Sequence, residues 1–217
     1  MWIPKSEAEV VGVVTSGALE ESPAFDAKKE LPSKSRNFEL AKDVAAMATD
    51  GGVLLYGVDE DEHGRPTVLN PIPLAGQAGR IDLIIRTSIA EPPFIRIAQF
   101  ATESDPSVGY IAVVVPPSER APHMAIVKDE YRFYGRGDKG NRPLVEAEVA
   151  RLYGRRRQTE VDRDALLGEE IGRWVYPPYL DLAYLYLVAR PTLGDDHLLH
   201  RSRLNRRPLT ESRPLQP

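Results

Sequence analysis

Four acids in a row, Asp59, Glu60, Asp61 and Glu62, follow an apolar stretch that runs Val53, Leu54, Leu55, Tyr56, Gly57, Val58. Clustered carboxylates are one mark of a chemical site, and they are also what keeps the exit of a buried strand solvated. Glu60, Asp61 and Glu62 read as solvated loop. Asp59 alone, at the strand's end, is placed to point into a shared site. A second candidate is Asp26 with Lys28, one residue apart. Side chains two apart on a strand share a face, and an acid, one residue and a lysine is the general layout of many metal nucleases. The plainer alternative is a solvated strand face.

The basic residues raise a different chemistry. "YRFYGRGDKGNRPL", Tyr131 to Leu144, interleaves aromatics with Arg132, Arg136, Lys139 and Arg142. Aromatic and basic side chains together can stack and clamp single-stranded nucleic acid, but such a strand more often packs one aromatic face into a core. Gly135 to Gly140 matches the dinucleotide fingerprint G-x-G-x-x-G. That motif must open a βαβ unit, whereas here Pro143 separates it from the next helix. A turn with glycines at positive φ is favoured, with phosphate contact by Arg136, Lys139 and Arg142 second. Arg155, Arg156 and Arg157 form the clearest basic cluster. A helix terminus favours some of that charge, but three consecutive arginines exceed what a cap needs. His63, His123, His197 and His200 have no companions at metal-ligand spacing.

The 217 residues of the chain carry a net charge of -4, so any polyanion-binding surface must be local. Cysteine is absent, which excludes disulfides, thiolate zinc sites and a cysteine nucleophile. No apolar run approaches the roughly 20 residues of a membrane-spanning helix. The first residues lack the pattern of a secretory signal. A cytoplasmic location without membrane attachment is the expectation.

The elements that must position these residues follow from periodicity. Residues 6–17 predict a short helix with Ser6 as N-cap and Gly17 as its stop. Around Asp26 an alternating strand is predicted, with Phe25 and Ala27 on one face and Asp26 and Lys28 on the other. Leu40, Val44, Met47 and Ala48 mark one face of a helix ending at Gly51-Gly52. The strand that follows does not alternate, so both its faces are predicted to be covered. Ile81, Ile84, Ile85, Ser88 and Ile89 share a side of a further helix, stopped by Pro92-Pro93. Strands are predicted over "FIRIAQFAT", "GYIAVVVPP" and "EYRFYGRG", then a closing helix "LVEAEVARLYGRRR". The predicted organisation is a main domain over residues 6–157, an incomplete second domain over 158–200 and an Arg/Pro-rich disordered tail over 201–217.

Four ordered motifs then resemble the AlbA-like domain of the Schlafen family, to which DNA binding is assigned in many bacterial proteins. They are "ESPAFDAK", the helix leading into "GGVLLYGVDED", "VVVPPSERAPHM", and "YRFYGRGDKGNRPL". The family's Glu-Phe-Lys triplet reads Asp26-Ala27-Lys28 here. The resemblance implies an α+β fold with a mixed sheet of five to six strands and helices packed on it. It implies a nucleic-acid partner, DNA or RNA, contacted through Arg132, Arg136, Lys139, Arg142, Arg155, Arg156 and Arg157. Some Schlafen proteins are similar to metal-dependent ribonucleases, and their three acids match Glu21, Asp26 and Asp59. Those three would hold Mg²⁺ or Mn²⁺, and Lys28 would stabilise developing charge. Nucleic-acid binding is the leading reading, a metal-dependent nuclease the rival, and an ATP-binding module or transcriptional regulator the third. The chain has no Walker loop to support ATP binding. Homo-oligomerisation stays open.

Overall fold

A computed structural model describes residues 2–20, 22–61, 65–127, 130–137 and 140–172. In chain order the elements are α1 (Glu7–Thr15), β1 (Phe25–Lys28), α2 (Asn37–Met47), β2 (Gly52–Tyr56), β3 (Val58–Glu60), β4 (Pro66–Leu69), β5 (Ile72–Pro73) and α3 (Gln77–Ser88). There follow β6 (Ile89–Ala90), β7 (Arg96–Ala101), β8 (Val108–Val115), β9 (Met124–Val127), β10 (Glu130–Gly137), β11 (Gly140–Pro143) and α4 (Glu146–Gly172). Glu21 and Lys139, both expected site residues, lie outside the described residues. So do the 173–217 parts of the expected second domain and tail.

The fold is α+β around a mixed five-stranded sheet. β1 runs parallel to β2, and parallel neighbours need a crossover, which α2 supplies. β2 pairs antiparallel with β8, whose other partners are β7 and β5. A second, antiparallel sheet has the order β11-β10-β9-β6, and β3 with β4 makes a separate hairpin. The mixed sheet thus has five strands, within the expected five to six, and the second sheet and the hairpin are additional to it. β4, β5, β6 and β9 are two to four residues long, too short to show a period.

β2 lacks alternation because each of its faces has its own cover. Val53 and Leu55 join Val10 and Val14 of α1, together with Ala112 and Val114 of β8. Leu54 and Tyr56 join Leu40 and Val44 of α2 and Ile81, Ile84 and Ile85 of α3. Burying a side chain such as Ile81 contributes roughly 1.5–3 kcal/mol. α2 also meets the second sheet, through Ala125 of β9 and Tyr134 of β10. Lying between two sheets, it buries every residue from Leu40 to Met47 except Lys42.

Gly57 separates β2 from β3, at φ 98°. A Cβ there would stand 2.9 Å from the Tyr110 ring and 3.1 Å from the Gly109 carbonyl oxygen. Only glycine can make this bend, and it turns the acidic segment out of the main sheet into the β3–β4 hairpin. α4 runs unbroken past Arg157 to Gly172. The boundary expected at residue 157 thus falls inside a helix. No helix among the described residues is long and apolar enough to cross a membrane.

Candidate nucleic-acid interface

β1 behaves as its alternation predicts, but its polar face is not solvated. Phe25 and Ala27 turn towards α1, and Asp26 and Lys28 turn to the α2 side. There the second sheet closes over them. In the β10–β11 hairpin Arg136 stands opposite Asn141, and both reach inward. Arg136 Nη1 donates to Asp26 Oδ2 at 3.0 Å and to Asn141 Oδ1 at 3.1 Å. Its remaining donors bind the Pro23 and Ser22 carbonyls at 3.2 and 3.4 Å. Lys28 Nζ lies 3.1 Å from Asp26 and 3.8 Å from Asp43 of α2, and Asn141 Nδ2 donates to Asp43. Asp26 and Arg136 side chains are each only 10% exposed, so this is a buried, mutually satisfied network.

Within it, burial pushes the Asp43 carboxyl up to about 6; Lys28 opposes this and Asp26 adds to it. The Tyr56 hydroxyl is buried without a hydrogen-bond partner. Its burial, and next the charges of Asp43 and Asp26, push its ionisation well above the ordinary value. It therefore stays a neutral phenol. A cavity of about 250 Å³ beside Tyr56 is walled by Lys28, Arg36, Glu39 and Asp43.

Asp59 has a different neighbourhood. Its carboxylate takes Lys29 Nζ at 2.7 Å and the Glu60 amide at 3.0 Å. The Lys29 hydrogen bond holds its carboxyl below the usual range. Asp61 binds Arg65 at 2.9 Å, so the acidic run is largely a solvated, locally paired hairpin. Of the expected metal ligands, Asp26 is held by Lys28 and Arg136, and Asp59 by Lys29. Among the described residues no group of three acids or histidines could hold a metal ion. Glu21, the third expected ligand, lies outside the described residues, so the expected set is not seen together.

The expected phosphate-contacting arginines divide sharply. Arg136 belongs to the buried network and is corrected from surface contact to structural residue. Arg142 pairs with Gly135 across the hairpin, one position out of phase with Arg136, and is half exposed. Its fork grips Glu148 of α4 at 2.7 and 2.6 Å. That hydrogen bond, the Val145 amide and the nearby Arg151 bring the Glu148 carboxyl down to about 2, against its desolvation. Arg142, Arg151 and Glu148 line one cleft of about 190 Å³ with Thr49, Asp50 and Gly51. Arg155 borders it, donating to the Thr49 carbonyl at 2.9 Å and lying 3.4 Å from Asp50. Arg151 and Arg157 are exposed and form no ion pair among the described residues.

Residues 21–145, more than half of the chain, match the family described as Schlafen, AlbA_2. The chain belongs to that family. Comparison with curated proteins gives no match. Membership makes this Schlafen AlbA_2 chain a nucleic-acid-associated domain in general terms.

Two more expected contacts of the Schlafen AlbA_2 domain stand apart from the cleft. Arg132 pairs with Glu130 at 2.6 Å. Arg156, only 18% exposed, binds Glu91 at 3.2 Å and the Arg120 carbonyl at 3.1 Å. Burial works to raise the Glu91 carboxyl, but Arg120 and Arg156 outweigh it and hold it low. Arg156 is thereby committed to Glu91, just after β6, and to the Arg120 carbonyl. His123 is fully enclosed between the Glu91 carbonyl and the Ser118 hydroxyl, at 2.6 and 2.8 Å. Burial lowers its basicity, which suits a neutral structural ring. The aromatics of β10 split three ways. Tyr134 enters the core, Phe133 meets Tyr153 edge-on at 6.0 Å, and Tyr131 stays exposed. Gly137 pairs with Gly140 at the end of the hairpin; Gly140 has the positive φ expected of a turn glycine, 105°, whereas Gly135 and Gly137 belong to β10.

Asp43 was not a sequence candidate, yet it carried a signal. It sits three residues after Leu40 and four before Met47, inside the apolar stripe of its own helix. Asn141 gave no comparable signal, since its role depends entirely on the register of β11.

Proposed function

We propose that this domain binds the sugar–phosphate backbone of nucleic acid along the cleft between the end of α2 and the start of α4. Arg142, Arg151 and Arg155 supply the positive charge, with Arg157 on the exposed side of α4. Family membership supports a nucleic-acid partner. The observation that carries the reading is the convergence of Arg142 and Arg151 on one cleft, with Arg155 at its edge. These contacts are to phosphate, so they position a strand without reading its sequence. Because displaced counterions drive such binding, affinity falls steeply with salt.

The test is fluorescence anisotropy with labelled single- and double-stranded oligonucleotides over a salt series. Arg151→Ala combined with Arg155→Ala weakens binding and flattens the salt dependence. Absence of binding at low salt, or affinity indifferent to salt, refutes the reading.

A further inference from the structure

The arginine-rimmed cleft has an occupant of its own. The Glu148 carboxylate sits in the Arg142 fork with two hydrogen bonds, and its Oε2 also accepts the Val145 amide at 3.1 Å. A guanidinium fork binds carboxylate and phosphate in the same bidentate manner. Arg151, on the same wall, has no ion-pair partner among the described residues, yet its charge acts on Glu148. Thr49 also lines the cleft, and its hydroxyl is buried without a hydrogen-bond partner. A buried hydroxyl that donates to nothing is uncommon and calls for an explanation. Asp50, the other acid of the cleft, is 82% exposed and turned to Arg155, so it leaves the interior to Glu148.

We propose that this cleft seats one phosphodiester group, held by Arg142, Arg151 and the Thr49 hydroxyl, and that the Glu148 carboxylate occupies the seat until the phosphate displaces it. The inference rests on the nucleic-acid reading above and adds a built-in competitor to it. No bond is made or broken. One anion replaces another on Arg142, and Glu148 turns to solvent while remaining ionised.

The full chain is tested as Glu148→Gln, Thr49→Val and, as a charge control, Glu146→Gln, the exposed acid two residues earlier. Glutamine keeps an acceptor for the Val145 amide, so α4 retains its first turn. Binding of a labelled single-stranded oligonucleotide is followed against salt, and urea denaturation verifies that each variant folds. Glu148→Gln tightens binding several-fold and steepens the salt slope by roughly 0.7, the increment of one further phosphate contact on a single strand. Thr49→Val weakens binding, and Glu146→Gln leaves it close to wild type.

Equal tightening by Glu146→Gln and Glu148→Gln overturns the seat, because general charge then explains both. Unchanged affinity in Glu148→Gln, with Arg151→Ala and Arg155→Ala still weakening binding, overturns the seat and spares the broader function. ATP and inorganic phosphate are titrated in parallel. Binding of either that responds to Glu148→Gln, with no oligonucleotide bound, keeps the phosphate seat and refutes the nucleic-acid source. Insensitivity of every phosphate probe to Glu148→Gln refutes the seat altogether.

Discussion

Arg136 and Arg142 come from the same hairpin, six residues apart, and have opposite fates. Arg136 faces α2, where Asp26, Asn141 and two carbonyls consume its donors. Arg142 points the other way and holds the Glu148 carboxylate at the protein surface, half exposed itself. The difference is one step of strand alternation, fixed by the pairing of Arg136 with Asn141 and of Gly135 with Arg142. A one-residue slip would exchange their faces. A basic stretch therefore does not state how many of its charges meet a ligand. Register decides that.

The largest test of this contrast is on stability. Arg136→Ala leaves Asp26 buried without its guanidinium, at a cost of about 3–5 kcal/mol in urea denaturation. Arg142→Ala leaves the denaturation midpoint close to wild type and acts on binding instead. If Arg136→Ala folded as well as wild type and only weakened nucleic-acid binding, the division between the two arginines would be wrong.

The next effect is a pH dependence. The Asp43 carboxyl is raised to about 6 in the folded protein, whereas an unfolded aspartate titrates near ~3.9. Between those values the native state binds more protons, so this group's contribution to stability falls as pH rises. The loss is roughly 3 kcal/mol, absent below about pH 4 and complete above about pH 6. Asp43→Asn flattens this part of the profile, as measured by urea midpoints at about pH 4 and about pH 7. An unchanged slope in that variant would show that Lys28 and Asn141 fully compensate the buried charge.

The smallest effect is expected at the surface pair Lys29–Asp59. Asp59→Ala leaves both the denaturation midpoint and oligonucleotide affinity unchanged. The same variant tests the nuclease rival. Mg²⁺-dependent cleavage by the wild type that Asp59→Ala abolishes would establish a role for Asp59 that its pairing with Lys29 does not indicate.

The chain's local signals were legible where one element decided the outcome. Ser6 caps α1 by accepting from the Glu9 amide, the isoleucine stripe of α3 is buried, and the unalternating β2 is covered on both sides. Signals that needed distant partners were not legible. Asp26 read as an exposed acid or a metal ligand because its guanidinium partner lies 110 residues away. Arg156 read as free charge because Glu91 is 65 residues distant. The second sheet escaped because β6 and β9 are too short to carry a period and β11 is recognisable only through its pairing. What the sequence supplied for the cleft was the arginines, without the carboxylate that now sits among them.

α4 extends well past its last deeply buried contact, Leu152, and from Arg157 to Glu169 only Thr159 is even partly covered. Its 27 residues amount to about 40 Å of rigid rod. Such a rod transmits phase as well as distance. Deleting one residue from its exposed half would draw anything joined to its far end inwards by about 1.5 Å and swing it by about 100°, so insertions there should act in steps of a helical turn.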